Sequence, residues 1–227
     1  MLLPNMTYRE VFDELNNDYK GIQQGIMKNG HQFSLLLRKT TRRFPIRQVY
    51  SYTTPERKNK VYFGFYANKR SEWQNPAFYQ FIIWDTPNGK CAVMANSLDT
   101  DFKQGRYGLI LVYTPHLFSR YRERFLKNED LSNEEVINRF FEKNARTYGT
   151  DISEELMPGS VELEDKSKTK IAYASEDGVA FGVVVENEVI VVKTFVAYDM
   201  LYPNQQKVLL PLRDAMMNRL PHPEGRR

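Results

Sequence analysis

The chain has 227 residues, 41% of them apolar and 13% aromatic, which argues against a disordered protein and allows a core without disulfide or metal support. Its net charge of +4 is uneven, because residues 1–150 carry 23 basic and 15 acidic side chains whereas residues 151–200 carry 4 and 11. Cys91 is the single cysteine, which excludes an internal disulfide. No apolar run approaches the roughly 20 residues of a membrane span, and the N-terminus has no signal-peptide pattern. We therefore expect a cytoplasmic protein.

Two helices are predicted at the N-terminus. The segment "TYREVFDELNNDYKGIQQGIMKN" opens with Thr7 and Glu10 at capping-box spacing, and its apolar residues recur at helical intervals. Gly30 is expected to end this first helix. The segment "FSLLLRKTTRRF" is predicted as a second helix that ends before Pro45, because the residue before a proline disfavours helical geometry.

A run of short strands is predicted next. The segments "RQVYSYT", "KVYFGFYA", "FYQFIIWDTPNGKCAVMAN" and "YGLILVYT" are rich in aromatic and β-branched residues. Turn-forming residues Pro87, Asn88 and Gly89 divide the third segment into a hairpin. Together the segments predict an antiparallel meander of about five strands.

The remainder of the chain is predicted as two helices, about four strands and a last helix. The helix "PHLFSRYRERFLK" has Pro115 in its first turn, and "SNEEVINRFFEKNART" begins with Ser132 and Glu135 at capping-box spacing. The strands are "SVELE", "KIAYAS", "VAFGVVVE" and "VIVVKTFVAY", and residues Thr147 to Gly159 are expected to form a long acidic loop. Pro211 is expected to kink or divide the last helix, "NQQKVLLPLRDAMMNRL".

The order of these elements favours an α+β fold, because strands and helices come in blocks. The expected architecture is N-terminal helices, an antiparallel β-meander, a helical pair, a second antiparallel sheet and a C-terminal helix. A boundary near residues 99–106 would divide the chain into residues 1–105 and residues 106–227, and one fused domain is the alternative. The uneven charge fits a polyanion-binding surface on one part or attraction between two parts.

One edge of the helix that begins at Pro115 carries the strongest candidate site. A helical wheel gathers an apolar stripe on one side, formed by Leu117, Phe118, Tyr121 and Phe125. Along the edge of this stripe runs a ladder of His116, Arg120 and Arg124, four residues apart. Glu123 is expected to pair with Lys127, one helical turn away.

The three ladder residues have side chains that suit a phosphodiester. Guanidinium groups bind phosphate through bidentate hydrogen bonds and stabilise negative charge, and a histidine, whose ordinary pKa is about 6.5, can transfer a proton near neutral pH. RNA provides its own nucleophile in the 2′-hydroxyl, so such a site needs no metal, and the sequence shows no metal-ligand cluster or cofactor motif. The alternative is structural, with arginine stems on the apolar stripe and their charged ends in water.

The segment from Tyr113 to Val196 resembles the small toxin-like domains of the RelE/BrnT superfamily and the DUF4258-type families. The resemblance rests on the His-x-x-x-Arg-x-x-x-Arg helix, on the helix start "SNEEV" and on the strand "VVKT". It implies a diverged, toxin-like protein that interacts with RNA or another polyanion and acts as a metal-independent ribonuclease. It implies further that His116, Arg120 and Arg124 are the catalytic residues, with Lys193 as a substrate-binding residue beside them.

A second basic cluster, "RKTTRRFPIR", could also contact phosphates. If the helix continues through this cluster, Arg38 stacks on Arg42 and Lys39 on Arg43. Arg38, Arg42 and Arg43 are therefore candidate substrate-binding residues, and a solvated helix face is the alternative. The aromatic residues of the meander likewise either form a base-stacking platform or alternate between core and surface: Tyr62, Phe65, Trp73, Tyr79, Phe81 and Trp84.

Two other hypotheses for the function stay open at this point. The chain could be a non-catalytic protein-interaction or structural protein of phage or mobile-element type. Its ladder arginines would then form ion pairs with the acidic segment at residues 151–165. A small-molecule-binding sheet in the N-terminal part is a further alternative.

Overall fold

A computed structural model describes residues 1–97, 103–127, 130–158 and 168–219 of the chain. It divides into two compact units, Met1–Ile110 and Leu111–Arg227. The described residues form five α-helices and nine β-strands, which confirms the predicted α+β class. None of the helices in these ranges is long and apolar enough to cross a membrane.

The first unit opens with two helices, α1 at Tyr8–Asn17 and α2 at Tyr19–Lys39. The predicted capping box is confirmed, because the Thr7 side chain accepts from the Glu10 amide while the Thr7 amide donates to Glu10 Oε2 at 2.7 Å. Such a cap satisfies amide groups that have no partner within the helix. The chain therefore enters α1 with its first turn fixed by local contacts alone.

The predicted helix boundary at Gly30 is wrong. The helices instead meet at Asp18, whose carboxylate accepts hydrogen bonds of 2.7 Å from the Thr54 hydroxyl and from the Asn59 side-chain amide. These bonds tie the junction to a distant part of the chain, which no local pattern reveals. Gly30 lies inside α2, because the burial of Phe33 one turn later continues the packed face past the glycine.

Four antiparallel strands follow in the order β1-β2-β3-β4 and confirm the predicted meander: Ile46–Thr53, Lys60–Ala67, Ala77–Thr86 and Gly89–Asn96. Pro87 and Asn88 form the two-residue turn between β3 and β4, and Gly89 takes the φ of 118° that follows it. A 3₁₀ helix at Arg70–Gln74 connects β2 to β3. The next strand, β5 at Leu109–Tyr113, spans the division between the two units.

Helix α2 packs closely on one face of this sheet. The rings of Phe33 and Phe65 stack with their centroids 5.7 Å apart. At Gly25 a Cβ atom would lie 2.5 Å from the Tyr52 ring and 2.8 Å from the Phe63 ring. Gly25 therefore sets how closely the helix approaches the strands.

The second unit contains two helices, four strands and a last helix. These elements are α3 at Pro115–Phe125, α4 at Asn133–Asn144, β6 at Tyr148–Ile152, β7 at Lys170–Ala174, β8 at Gly178–Glu186, β9 at Val189–Ala197 and α5 at Pro203–Arg219. The four strands pair antiparallel in the order β9-β8-β7-β6. Helix α3 lies on β9, and α5 lies against β6 and β7.

Two predictions for this unit need correction. The expected loop from Thr147 to Gly159 contains strand β6 and a 3₁₀ helix at Glu154–Leu156. Strand β6 pairs only with β7 and alternates half-buried with exposed residues, so it lacks the apolar run that marks an inner strand. The predicted strand "SVELE" lies outside the described residues. Pro211 does not divide the last helix, because α5 runs through it with Leu209 and Met216 buried on either side.

The apolar stripe predicted for α3 is confirmed by an aromatic core. Leu117, Phe118 and Tyr121 are buried, and the Tyr121 ring meets those of Phe140 and Phe195 edge-on, with centroids 5.1 and 5.6 Å apart. Edge-to-face contacts of this kind add to the free energy of burial. Together they fix α3 between α4 and β9, which determines where the edge of α3 is presented.

Candidate functional site

The start of α3 is bonded directly to β9. Thr114 precedes the helix, and its amide donates to the Val192 carbonyl at 3.1 Å while its hydroxyl donates to the Lys193 carbonyl at 3.1 Å. The Thr114 side chain also accepts from the Leu117 amide as the helix cap, and Pro115 occupies the first turn. The helix that carries the ladder is therefore anchored at its first residue to the strand that carries Lys193.

His116 is exposed in the first turn of α3, two residues after that anchor. Within the described residues it has neither a hydrogen bond nor an ion pair, so its imidazole is open to a ligand. Lys193 is half-buried, and its backbone lies at the same end of the helix through the bond to Thr114. The structure thus brings His116 and the Lys193 backbone to one end of α3.

Arg120 lies one turn further along the same edge and is partly exposed. Its Nη1 is 2.9 Å from Glu123 Oε2, while its Nε is buried and has no hydrogen-bond partner among the described residues. The expected pairing of Glu123 with Lys127 is therefore wrong. The helix ends at Phe125 and Lys127 takes a positive φ of 46°, so the one-turn geometry that such a pair needs is absent.

Arg124 is half-buried, and its side chain is bonded to the neighbouring strand. Its guanidinium donates to the Phe195 carbonyl in β9. Burial and the positive charge of Arg120 lower the pKa of Arg124, and Glu123 opposes this effect. Arg124 thus forms a second link between α3 and β9, and of the three ladder residues it has the least freedom to meet a ligand. Arg122 lies apart from the ladder and donates to Asn133 Oδ1 at 3.0 Å.

The second basic cluster does not form the helical stack that was predicted. Helix α2 ends at Lys39, and Thr40 takes an extended conformation. The Arg42 amide donates to Thr40 Oγ1 at 3.1 Å, so the chain turns away before Arg42 can stack on Arg38. The Arg38 guanidinium lies instead over the Trp73 ring, 5.0 Å from its centroid. Arg42 and Arg43 are exposed in the first unit.

The aromatic residues of the meander are divided between environments. Tyr62 and Phe81 stack on each other at 5.1 Å, and both are buried. Trp84 is also buried, and its indole donates to the Leu3 carbonyl at 2.8 Å. Phe65 follows Tyr62 by an odd number of positions and lies on the opposite face with α2. These rings therefore form core layers rather than one exposed stacking surface, although Lys60 lies 4.9 Å from the Tyr62 ring centroid.

A polar cluster in the second unit was missed by sequence reasoning. Asn144 is fully buried, and its side-chain oxygen accepts from the Ser175 hydroxyl at 2.8 Å and from the Asp177 amide at 3.0 Å. Its amide group donates to Asp177 Oδ2 at 3.1 Å, where the Tyr121 hydroxyl also donates at 2.8 Å. The available signal was the place of Asn144 in the apolar stripe of α4, since a buried amide needs partners.

Two tyrosines of this cluster are held in their neutral form. Burial and the hydrogen bond to Asp177 raise the pKa of Tyr121, and burial raises the pKa of Tyr198 to about 12. The Tyr198 hydroxyl donates to the Ser175 carbonyl at 2.7 Å, and the Arg213 guanidinium lies 4.7 Å from its ring. Because these groups satisfy one another, the cluster acts as an anchor for the turn between β7 and β8.

Comparisons with protein-family models, curated proteins and solved structures found no match. The resemblance to RelE/BrnT-like domains stays a hypothesis that rests on the motif residues quoted above. The described ranges contain no group of three His, Cys, Asp or Glu side chains placed to hold a metal ion. The candidate site is therefore the edge of α3 that carries His116 and Arg120.

Proposed function

We propose that the second unit interacts with RNA at the edge of α3 and acts as a diverged, toxin-like, metal-independent ribonuclease. The observation that carries this proposal is that the exposed His116 and Arg120 lie one helical turn apart on the same edge of α3. His116 has no intrachain partner among the described residues, and the partly exposed Arg120 guanidinium is paired only through its Nη1 with the exposed carboxylate of Glu123 in the part of the chain that the structure describes. Both groups therefore have bonding capacity left for a phosphodiester.

In the proposed reaction, the 2′-oxygen of a nucleotide attacks the adjacent phosphorus as His116 takes the proton from the 2′-hydroxyl. The Arg120 guanidinium binds the non-bridging oxygens and stabilises their growing negative charge. The bond from phosphorus to the 5′-oxygen breaks, and water donates a proton to the departing oxygen. The products are a 2′,3′-cyclic phosphate and a 5′-hydroxyl.

Arg124 has a different role from the one that the motif implies. Its bond to the Phe195 carbonyl holds α3 on β9, so we assign it as a positioning residue. Lys193 stays a candidate for phosphate binding, because its backbone meets the helix start beside His116. Arg38, Arg42 and Arg43 belong to the first unit and take no part in this reaction.

The test is cleavage of end-labelled RNA by the full chain with EDTA present, comparing wild type with His116→Ala and Arg120→Ala. Each substitution is expected to reduce cleavage by about a hundredfold while leaving the melting temperature unchanged, since a positioned acid–base group contributes on that scale. Arg122→Ala is the matched control, because Arg122 is on the same helix and contacts α4. Wild-type protein that leaves RNA intact, or an active His116→Ala variant, would contradict the proposal.

A non-catalytic protein-interaction or structural role is the second candidate. It is favoured by apolar side chains exposed around the start of α5, Met200 at 50%, Tyr202 at 64% and Val208 at 40%, since exposed apolar clusters mark contact sites. This role predicts a folded wild-type protein that does not cleave RNA. It predicts further that Tyr202→Ser with Val208→Ser reduces self-association in sedimentation experiments.

A further inference from the structure

The first unit carries a positively charged surface formed by Arg38, Lys39, Arg42, Arg43, Lys69 and Arg70, which we term the basic surface. All six side chains are exposed. They come from two stretches of chain, the end of α2 with the residues after it and the connection that follows β2. The surface is therefore made by folding and is only partly visible as the run "RKTTRRFPIR".

Two contacts hold these stretches together. The Arg70 guanidinium donates to the Thr40 carbonyl just after the end of α2. The Arg38 guanidinium lies 5.0 Å from the centroid of the Trp73 ring in the 3₁₀ helix. Because these contacts join the two stretches, their cations lie on one connected surface rather than on two independent loops.

The six cations have no acidic partner in the part of the chain that the structure describes. None of them forms an ion pair with a described residue, in contrast to Arg57, which pairs with Glu14 in the same unit. Glu72 is the acidic residue nearest to Arg70 in the sequence. Its carboxylate accepts a hydrogen bond of 2.8 Å from the Asn68 amide. Like charges held together without counterions raise the local potential and attract an anionic partner.

Aromatic side chains border the basic surface. Trp73 is half-buried beneath Arg38, and Phe78, at the start of β3, is 48% exposed. Phe78 pairs in register with Phe65 in β2, which places it at the end of the sheet where the 3₁₀ helix lies. Aromatic and guanidinium planes stack on unpaired bases, while arginines bind the phosphates between them.

We propose that the first unit binds single-stranded nucleic acid on the basic surface, with phosphates on the arginines and bases against Trp73 and Phe78. Four of the six cations are arginines. Their planar guanidinium groups form bidentate hydrogen bonds that suit individual phosphate groups, whereas a diffuse anionic surface does not require this geometry. This inference goes beyond the ribonuclease proposal, because it concerns a different unit and requires no cleavage. RNA and DNA strands share the chemistry, and the test separates them.

The experiment measures binding of the full chain to fluorescein-labelled oligo(U) and oligo(dT) by fluorescence anisotropy across a salt series. The His116→Ala chain is used throughout, so that strand cleavage cannot affect the result. The double variant Arg42→Gln with Arg43→Gln is expected to weaken binding at least about tenfold. It should also lower the slope of log K against log salt by about 1.4, since each lost phosphate contact on a single strand accounts for about 0.7.

The matched control is Lys20→Gln with Lys103→Gln, which removes the same charge elsewhere in the first unit. Lys20 lies about 28 Å from Lys39 along α2, and Lys103 lies two residues from Gly105, which approaches Tyr19 at the opposite end of that helix. The control should keep the wild-type salt slope. Equal weakening by the two double variants would overturn the proposal, because binding would then follow net charge alone.

Trp73 provides a second readout on the same chain. Oligo(U) or oligo(dT) is expected to quench the fluorescence of the His116→Ala chain, and adding Trp73→Phe should abolish the quenching while keeping an aromatic ring. Trp84 is buried and should not respond. Binding to vesicles of phosphatidylserine, with neither oligonucleotide bound, would overturn the proposal in favour of a membrane surface. Tighter binding of one oligonucleotide would identify RNA or DNA as the preferred strand.

Discussion

The Tyr121 hydroxyl donates a hydrogen bond of 2.8 Å to Asp177 Oδ2 and thereby joins α3 to the turn between β7 and β8. The same carboxylate accepts from Asn144 on α4, which in turn accepts from Ser175 and from the Asp177 amide. One turn thus contacts both α3 and α4 of the second unit. The candidate site on α3 depends on this turn for its position.

We predict that Asn144→Ala lowers the free energy of unfolding by about 3 kcal/mol, because it removes the acceptor of the Asp177 amide and one hydrogen bond each from the Ser175 hydroxyl and the Asp177 carboxylate. Urea denaturation at pH 7 measures the change. Asn138→Ala is the control on the same helix, since the Asn138 amide bonds only to the Glu134 carbonyl of its own helix. Its cost is expected to be below about 1 kcal/mol. Equal losses in the two variants would show that the turn is not anchored by Asn144.

The two ladder arginines are predicted to affect stability differently. Arg124→Ala should lower the free energy of unfolding by about 2 kcal/mol, because it removes a charged donor from the Phe195 carbonyl. Arg120→Ala should change it by less than about 1 kcal/mol, since its partner Glu123 is exposed. Thermal and urea denaturation of the two variants, measured side by side, test this difference. A greater loss in Arg120→Ala would mean that the anchoring role is assigned to the wrong arginine.

Two glycines of α2 are predicted to respond to alanine in opposite directions. Gly25→Ala should destabilise the protein by about 2 kcal/mol, because the new methyl group would meet the Tyr52 and Phe63 rings at 2.5 and 2.8 Å. Gly30→Ala should stabilise it by about 0.5–1 kcal/mol, since the nearest atom is at 3.4 Å in Phe65 and alanine favours a helix interior. Urea midpoints of the pair measure both effects. A destabilising Gly30→Ala would indicate that the helix does not continue through this position.

Cys91 is predicted to be unreactive in the folded protein. Burial raises the pKa of its thiol to about 11, an effect that a hydrogen bond with Thr86 only partly offsets. Because the thiolate is the reactive form, a disulfide reagent at pH 8 should leave the native protein unmodified and should react fully in urea. The reaction is followed by absorbance. Fast modification without denaturant would contradict the buried position of Cys91 in β4.

The carboxylate of Glu14 is predicted to make stability depend on pH under acidic conditions. Burial would raise its pKa, but hydrogen bonds from the N-terminal amine at 2.6 Å and from Asn59 at 3.2 Å, with the charge of Arg57, outweigh it and lower the pKa. A lowered pKa in the folded state contributes stability above the ordinary carboxyl pKa. That contribution is lost as the pH falls through the folded value.

Glu14→Gln should therefore cost about 2 kcal/mol at pH 7, and the difference from wild type should shrink as the pH falls below about 4.5. Urea titrations at several pH values measure this difference. Asp13→Asn serves as control, because Asp13 is an exposed partner of Arg9 and its loss should cost less than about 0.5 kcal/mol. A difference that grows toward acid pH would contradict the direction of the Glu14 shift.

Most secondary structure follows from local chemistry. Strands β2 and β3 and the Pro87–Asn88 turn occupy nearly the predicted positions, because aromatic and β-branched runs bounded by turn residues leave little alternative. Both capping boxes are present with the predicted partners, since they involve residues only three positions apart. The apolar stripe of α3 also depends on residues only three or four positions apart, so it too could be predicted from the sequence.

Several of the errors involve contacts between distant residues. Asp18 ends α1 because it bonds to Thr54 and Asn59, which a helical pattern cannot indicate. Arg124 looks equivalent to Arg120 on a wheel, yet the Phe195 carbonyl, 71 positions away, gives it a structural role. Strand β6 has a polar sequence and becomes a strand by pairing with β7. The candidate site was therefore predictable as a helix edge but not as a set of available side chains.

The turn between β3 and β4 differs from the turn between β7 and β8, in which Ser175 is buried. Pro87 and Asn88 are exposed, and the strands on either side are closed by the Thr86–Gly89 pair. A short flexible peptide carrying a fluorophore could be inserted between Pro87 and Asn88 without displacing a packed side chain. This gives a place for a distance probe in the first unit, at the end of β3 opposite to Phe78.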